Sequence, residues 1–202
     1  EAGAVKNIPE KAANLVALAN RNVASLLSLI DDLLDFQKFE AGKMDLDFGV
    51  LDTDVLVRKI CENMEGYARE QDVSIRIEAS SRATISADSD RLSQVLTNLI
   101  SNVVKFSSKG GEVIIKNEVL EAKVCISVKD NGSGIPESFY DQIFKSFSQA
   151  PGESKRKGTG LGLTISKAIV EAHRGEIRFD SVVGSGTRFY VDLPLRQTVI
   201  TD

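Results

Sequence analysis

Apolar residues recur at Val16, Ala19, Val23, Leu26, Ile30 and Leu33 in steps of three and four, with Leu27 and Leu34 widening the stripe. That spacing puts them along one side of a single long helix. Pro9 suits its first turn, where a missing N–H costs nothing, and Gly42 ends the pattern. A stripe this wide needs a cover, and no helix of matching length follows. The spacing therefore predicts a coiled-coil or bundle contact with a second copy, ahead of packing against the chain's own domain.

After Gly42 the period changes. A short strand around residues 45–51 is expected, then a helix over 54–71, and Val73–Ile77 and Thr84–Ala87 alternate as strands. Asp88 or Ser89 caps a helix carrying Leu92, Val95, Leu96, Leu99, Ile100 and Val103. Strands over 112–119 and 123–129 form a hairpin. A short helix after Pro136, a polar loop over 146–157 and a helix over 161–174 follow. Strands over 176–181 and 187–194 close the order. This sequence of elements predicts an α+β fold, a two-layer α/β sandwich. Its sheet is mixed and mostly antiparallel, helices cover one face, and a long N-terminal helix precedes it. There is no internal repeat and no low-complexity tract.

The chain has 202 residues, 42% hydrophobic and 27% charged, as in an ordinary globular protein. A net charge of −4 argues against general nucleic-acid binding, which needs a cationic surface. No apolar run approaches the roughly 20 residues that span a bilayer, so a cytoplasmic chain without membrane contact is expected. Cys61 and Cys125 sit in apolar segments and read as buried thiols rather than a disulfide. His173, the sole histidine, has no ligand-type neighbour at zinc spacing.

Glycine carries the chemistry. Asp130-Asn131-Gly132-Ser133-Gly134-Ile135 follows an apolar strand, and Gly158-Thr159-Gly160-Leu161-Gly162-Leu163 precedes a helix. Such clusters bring backbone N–H groups close to a ligand, and a helix N-terminus suits a phosphate. Neither is a P-loop or a dinucleotide fingerprint, so another nucleotide scheme is required. On the preceding helix, Asn98, Asn102 and Lys105 stand at i, i+4 and i+7 and share a face. Asn102 can offer an amide oxygen to Mg²⁺, and Lys105 can neutralise phosphate. Capping of nearby backbone is the competing use of the two asparagines.

Together these segments resemble the sensor histidine kinases, within the superfamily of gyrase, chaperone and mismatch-repair ATPases. Residues 91–106 resemble the asparagine box and residues 130–135 the first glycine box. Residues 143–149 resemble the phenylalanine box, residues 158–163 the second glycine box, and Gly184-Ser185-Gly186-Thr187 a further turn of the pattern. The resemblance implies ATP and Mg²⁺ as cofactors. Asp130 would select adenine through its amino group, and Gly132 and Gly134 would let the base lie on the backbone. Asn102 would hold the metal with Asn98 beside it, and Lys105 would contact phosphate; these three would be the catalytic residues.

Residues 146–157 would be a lid, with Lys155, Arg156 and Lys157 toward the γ-phosphate and Phe144 and Phe147 anchoring it in an apolar groove. Ile135, Gly158, Thr159, Gly160, Leu161, Gly162, Leu163 and Thr187 would complete the nucleotide site. Residues 1–43 would be part of the second helix of the dimerisation hairpin, and 44–202 the catalytic domain. The family's phosphate-accepting histidine context is absent, and His173 lies at a helix-to-strand junction, which suits a structural role. The expected partners are a histidine-bearing dimerisation helix of the parent kinase, a response-regulator receiver domain and, in the full-length protein, a second copy. A non-enzymatic module and a serine kinase of the same superfamily are the competing readings; the intact boxes and the long helix weigh against them.

Overall fold

The computed structural model describes residues 10–42, 45–149 and 159–195. A long helix α1 (Glu10–Glu40) is followed by β1 (Gly49–Asp52), α2 (Thr53–Glu70), β2 (Val73–Ser80), β3 (Thr84–Ala87) and α3 (Ser89–Phe106). Next come β4 (Gly111–Leu120), β5 (Lys123–Lys129), a 3₁₀ turn (Glu137–Gln142), α4 (Gly162–Ala172), β6 (Glu176–Val182) and β7 (Gly186–Pro194). Five strands form one sheet in the order β2-β4-β5-β7-β6. Among the described residues only β2 and β4 run parallel; the other pairs are antiparallel. α2, α3 and α4 lie together on one face, giving the expected two-layer sandwich.

Period-two alternation explains the layers. Val113 and Ile115 of β4, Val124, Ile126 and Val128 of β5, and Phe189, Val191 and Leu193 of β7 are buried against the helices. The facing stripe is Leu92, Val95, Leu96, Leu99, Ile100, Val103 and Val104 on α3, with Ile165, Ile169 and Val170 on α4. α3 starts where the Asp88 carboxylate accepts from the N–H groups of Asp90 and Arg91, and α2 starts the same way on Asp52.

Two local expectations change. The strand foreseen over residues 45–51 is confined to β1, which pairs with β3 in a separate two-stranded sheet. Residues 45–48 lack ladder partners and are held instead by the Asp47 N–H donating to Asp88 Oδ2 at 2.9 Å. The last helix starts at Gly162 and stops at Ala172, because Arg174 adopts φ +58° and turns the chain into β6.

α1 shows two opposite faces. Asp32, Asp35, Phe36 and Phe39, at i, i+3, i+4 and i+7, share the side that meets the rest of the chain. Leu26, Leu27, Ile30, Leu33 and Leu34 lie on the other side and are exposed. Among the described residues no helix is long and apolar enough to cross a membrane.

A candidate nucleotide site along one helix

α3 is the beam of the site. At its C-terminal end it meets the first glycine box: a side chain at Gly132 would run into the Phe106 carbonyl, so only glycine lets the β5 end and the α3 end touch. At the middle of α3, Asn98 lies on the first turn of α4, and a side chain at Gly162 would overlap the Asn98 amide. From position 98 to position 106 the helix rises about 12 Å. Asn98, Asn102 and Lys105 are half-buried along that span.

Asp130 stands just past the end of β5 and is only 2% exposed. Its Oδ1 accepts from the Gly132 N–H at 2.7 Å and from the Thr187 N–H at 3.2 Å. Burial pushes this carboxyl above its ordinary value, against the pull of those two N–H groups. Among the described residues no hydrogen bond engages Oδ2, the oxygen left for a ligand donor. Ser181 of β6 ties the surroundings together: it accepts from the Ile135 N–H at 2.8 Å, donates to the Gly186 carbonyl and lies 2.9 Å from Thr187 Oγ1. Gly134 backs onto the Val182 carbonyl. Asp130, Gly132, Gly134, Ile135 and Thr187 are thus brought into one cluster.

The asparagines form a second cluster. Asn98 Nδ2 donates to Ser166 Oγ at 2.9 Å, and Asn102 Nδ2 donates to Asn98 Oδ1 at 3.3 Å. Lys105 Nζ sits 5.0 Å from the Phe106 ring centre. Among the described residues no side chain caps the N-terminus of α4, whose first turn stands beside these amides.

The loop between the clusters is closed at its base, where the Phe147 N–H donates to the Gly160 carbonyl at 2.9 Å. Lys155, Arg156, Lys157 and Gly158 lie outside the described residues. Phe144 is half-buried, 6.0 Å from the Phe179 ring centre. Phe147 is 62% exposed and sits in no groove of the sandwich; its φ of +60° turns it outward to meet Phe36 of α1 at 6.0 Å. Leu161 is buried and Leu163 half-buried against the core, so their side chains serve packing. Thr159 accepts from the Leu161 N–H and donates to Asp32 of α1 at 3.2 Å. Burial, and then the neighbouring carboxylates, raise Asp32 above its ordinary value, against the Thr159 hydroxyl.

Three features escape a reading of the sequence. Ser166, Ser181 and the Arg91–Gln94 pair on Asp35 join elements far apart in the chain. Only Ser166 gives a signal, as a hydroxyl amid the apolar run of its helix. His173 is fully buried, donating from Nδ1 to the Ile169 carbonyl at 2.8 Å and accepting the Asp88 N–H on Nε2 at 2.9 Å. Both ring nitrogens are therefore engaged in the fold.

The family profile of the histidine kinase-, DNA gyrase B- and HSP90-like ATPases matches residues 87–197, more than half of the chain, and the chain belongs to that family. Among its relatives, hybrid signal transduction histidine kinase D of Dictyostelium discoideum is 37% identical over 183 residues, covering 87% of this chain and 12% of that protein. The full-length ShkA structure in complex with AMPPNP superposes with a TM-score of 0.78 at 29% identity, over 94% of this chain and 40% of that one. The catalytic domain of histidine kinase ThkA gives a TM-score of 0.64 at 29% identity, over 74% of this chain and 96% of that one. The chain spans less than a fifth of the length of the curated relatives it matches, 12% and 18% for the first two.

Proposed function

We propose that this chain is the ATP- and Mg²⁺-binding catalytic part of a sensor histidine kinase, with α1 as the second helix of the dimerisation hairpin and residues 44–202 as the catalytic domain. The observation that carries it is Asp130, a buried carboxylate whose Oδ1 is held by two backbone N–H groups. That grip leaves Oδ2 to accept a hydrogen bond from an exocyclic amino group, which adenine has and guanine lacks at the equivalent position. The AMPPNP held by ShkA supports an adenine nucleotide.

The asparagine cluster fits Mg²⁺. Asn102 offers an amide oxygen, and Mg²⁺ takes oxygen donors. Mg²⁺ accepts few protein oxygens and keeps waters and phosphates as its other ligands. Asn102 would hold the ion and Asn98 would stand beside it. When bound, the ion supplies neutralisation of phosphate charge, the main requirement of phosphoryl transfer. Lys105 and the open N-terminus of α4 add positive potential toward the same phosphates. Thr159 and Gly160 fix the base of the lid, which carries Lys155 and Arg156.

The acceptor would be a histidine on a dimerisation helix; His173, buried with both nitrogens engaged, does not serve. Onward transfer goes to a response-regulator aspartate. The exposed aliphatic side of α1 would pair with a second copy, and the working compartment is the cytoplasm.

Titration with ATP and GTP, each with and without Mg²⁺, tests the reading. ATP should bind, GTP should bind far more weakly, and Mg²⁺ should tighten ATP. Equal affinity for both purines would defeat it. Incubation with labelled ATP should leave no acid-labile phosphate on the chain itself.

A further inference from the structure

We propose that Ser166 is a positioning residue that ends an amide relay as its acceptor, holding Asn98 and through it Asn102 so that Asn102 presents oxygen rather than NH₂ to the divalent ion. The inference rests on the Mg²⁺ reading above. Ser166 lies on α4 between Ile165, Ala168 and Ile169, all buried, and is itself 2% exposed. A hydroxyl in such surroundings is unfavourable unless it is bonded. Its partner is the Asn98 amide nitrogen at 2.9 Å.

An asparagine amide has a donor end and an acceptor end of nearly the same shape, so sterics alone do not choose between its two orientations. A serine hydroxyl can donate or accept, and here its oxygen accepts from the nitrogen end of Asn98, the arrangement that lets Asn102 face outward with oxygen. One turn earlier on the same helix, Gly162 supplies the space: any side chain there would strike the Asn98 oxygen end. α4 is therefore notched at 162 and anchored at 166, and together the two positions hold Asn98 in place.

The relay runs on to Asn102. With its nitrogen on Ser166, Asn98 turns its oxygen to Asn102, whose Nδ2 donates to it at 3.3 Å. That bond engages the donor end of Asn102 and leaves its oxygen end for a cation. If Asn98 were reversed, two NH₂ groups would face each other, and Asn102 would turn its oxygen inward to pair. The NH₂ left outside repels Mg²⁺. Ser166 touches neither ion nor nucleotide in this scheme; it acts through Asn98.

The test measures the Mg²⁺ concentration that half-saturates the tightening of ATP binding, by calorimetry, beside ATP affinity in EDTA. Ser166→Ala should raise the Mg²⁺ requirement on the order of tenfold, as loss of an outer-shell partner does. ATP affinity in EDTA should stay within about twofold, because adenine is read at Asp130. Ser166→Thr, which keeps the hydroxyl, should restore the wild-type requirement. Asn98→Ala should match Ser166→Ala, and the double variant should be no worse than Asn98→Ala, since the effect runs through one group.

An unchanged Mg²⁺ requirement in Ser166→Ala, an equal fall with and without Mg²⁺, or additive losses in the double variant would overturn the proposal. If Ser166→Ala does not fold, a normal requirement in Asn98→Ala overturns it equally. Asn102→Ala separates the two layers. A normal requirement there overturns the Mg²⁺ reading and this inference with it. Loss there beside an unchanged Ser166→Ala overturns this inference alone.

Discussion

Two buried ionisable side chains are used in opposite ways. Asp130 is buried where charge is costly, and two backbone N–H groups on one of its oxygens hold the other in place. Asp130→Asn keeps the shape and the Oδ1 acceptor but turns a donor toward the base. ATP affinity should fall by roughly 2 kcal/mol, about thirtyfold, and the gap to GTP should narrow, as competitive titration will show. His173 is neutral where neutrality is useful, because burial holds it below the ordinary histidine range. The unfolded chain therefore binds the extra proton more readily than the folded one. Stability should be full above about pH 6.5 and fall as the pH drops through that value toward the lowered one. Urea midpoints measured across that window check the sign; a midpoint flat with pH would show that His173 is not titrating there. Asp130 was legible as a carboxylate ending an apolar strand beside Gly-x-Gly. The partner of His173 was not, since Asp88 is 85 positions away and no local pattern couples them.

Periodicity reveals a helix only through how apolar its face is. The α3 stripe was legible for that reason, and its centre is unforgiving: Leu99 is 0% exposed. Leu99→Ala should cost about 2–5 kcal/mol of global stability by chemical denaturation. α1 shows what periodicity misses. Its aliphatic side stands out in the sequence yet is exposed in the chain, whereas its docking side is made of acids and phenylalanines that read as a solvated face. There Asp35 is 8% exposed and accepts from Arg91 at 2.8 Å and from Gln94 at 2.7 Å. Asp35→Ala should loosen that docking by roughly 2 kcal/mol. Amide exchange over residues 31–40 should quicken about thirtyfold while the sandwich keeps its melting temperature. Equal quickening throughout would mean that the helix and sandwich unfold as one.

Across the whole chain, the fold class followed from the order of helical and alternating segments, and the sheet order follows from where the turns are tight. β4 and β5, joined by a short turn, pair as an antiparallel hairpin. β2 and β4 pair parallel because β3 and α3 intervene and carry the chain back across the face. The strands β1 and β3 were expected, but their pairing in a separate sheet was not legible, since α2 and β2 lie between them in the chain and no local pattern couples them. One contact has a wider consequence. Thr159 is bonded at once to the backbone of the second glycine box and to Asp32 of α1. Any ligand that favours one placement of Thr159 must then alter the equilibrium between docked and detached α1, and by reciprocity α1 must alter that ligand's affinity by the same factor. A force on the helix and a molecule at the second glycine box become two handles on a single balance.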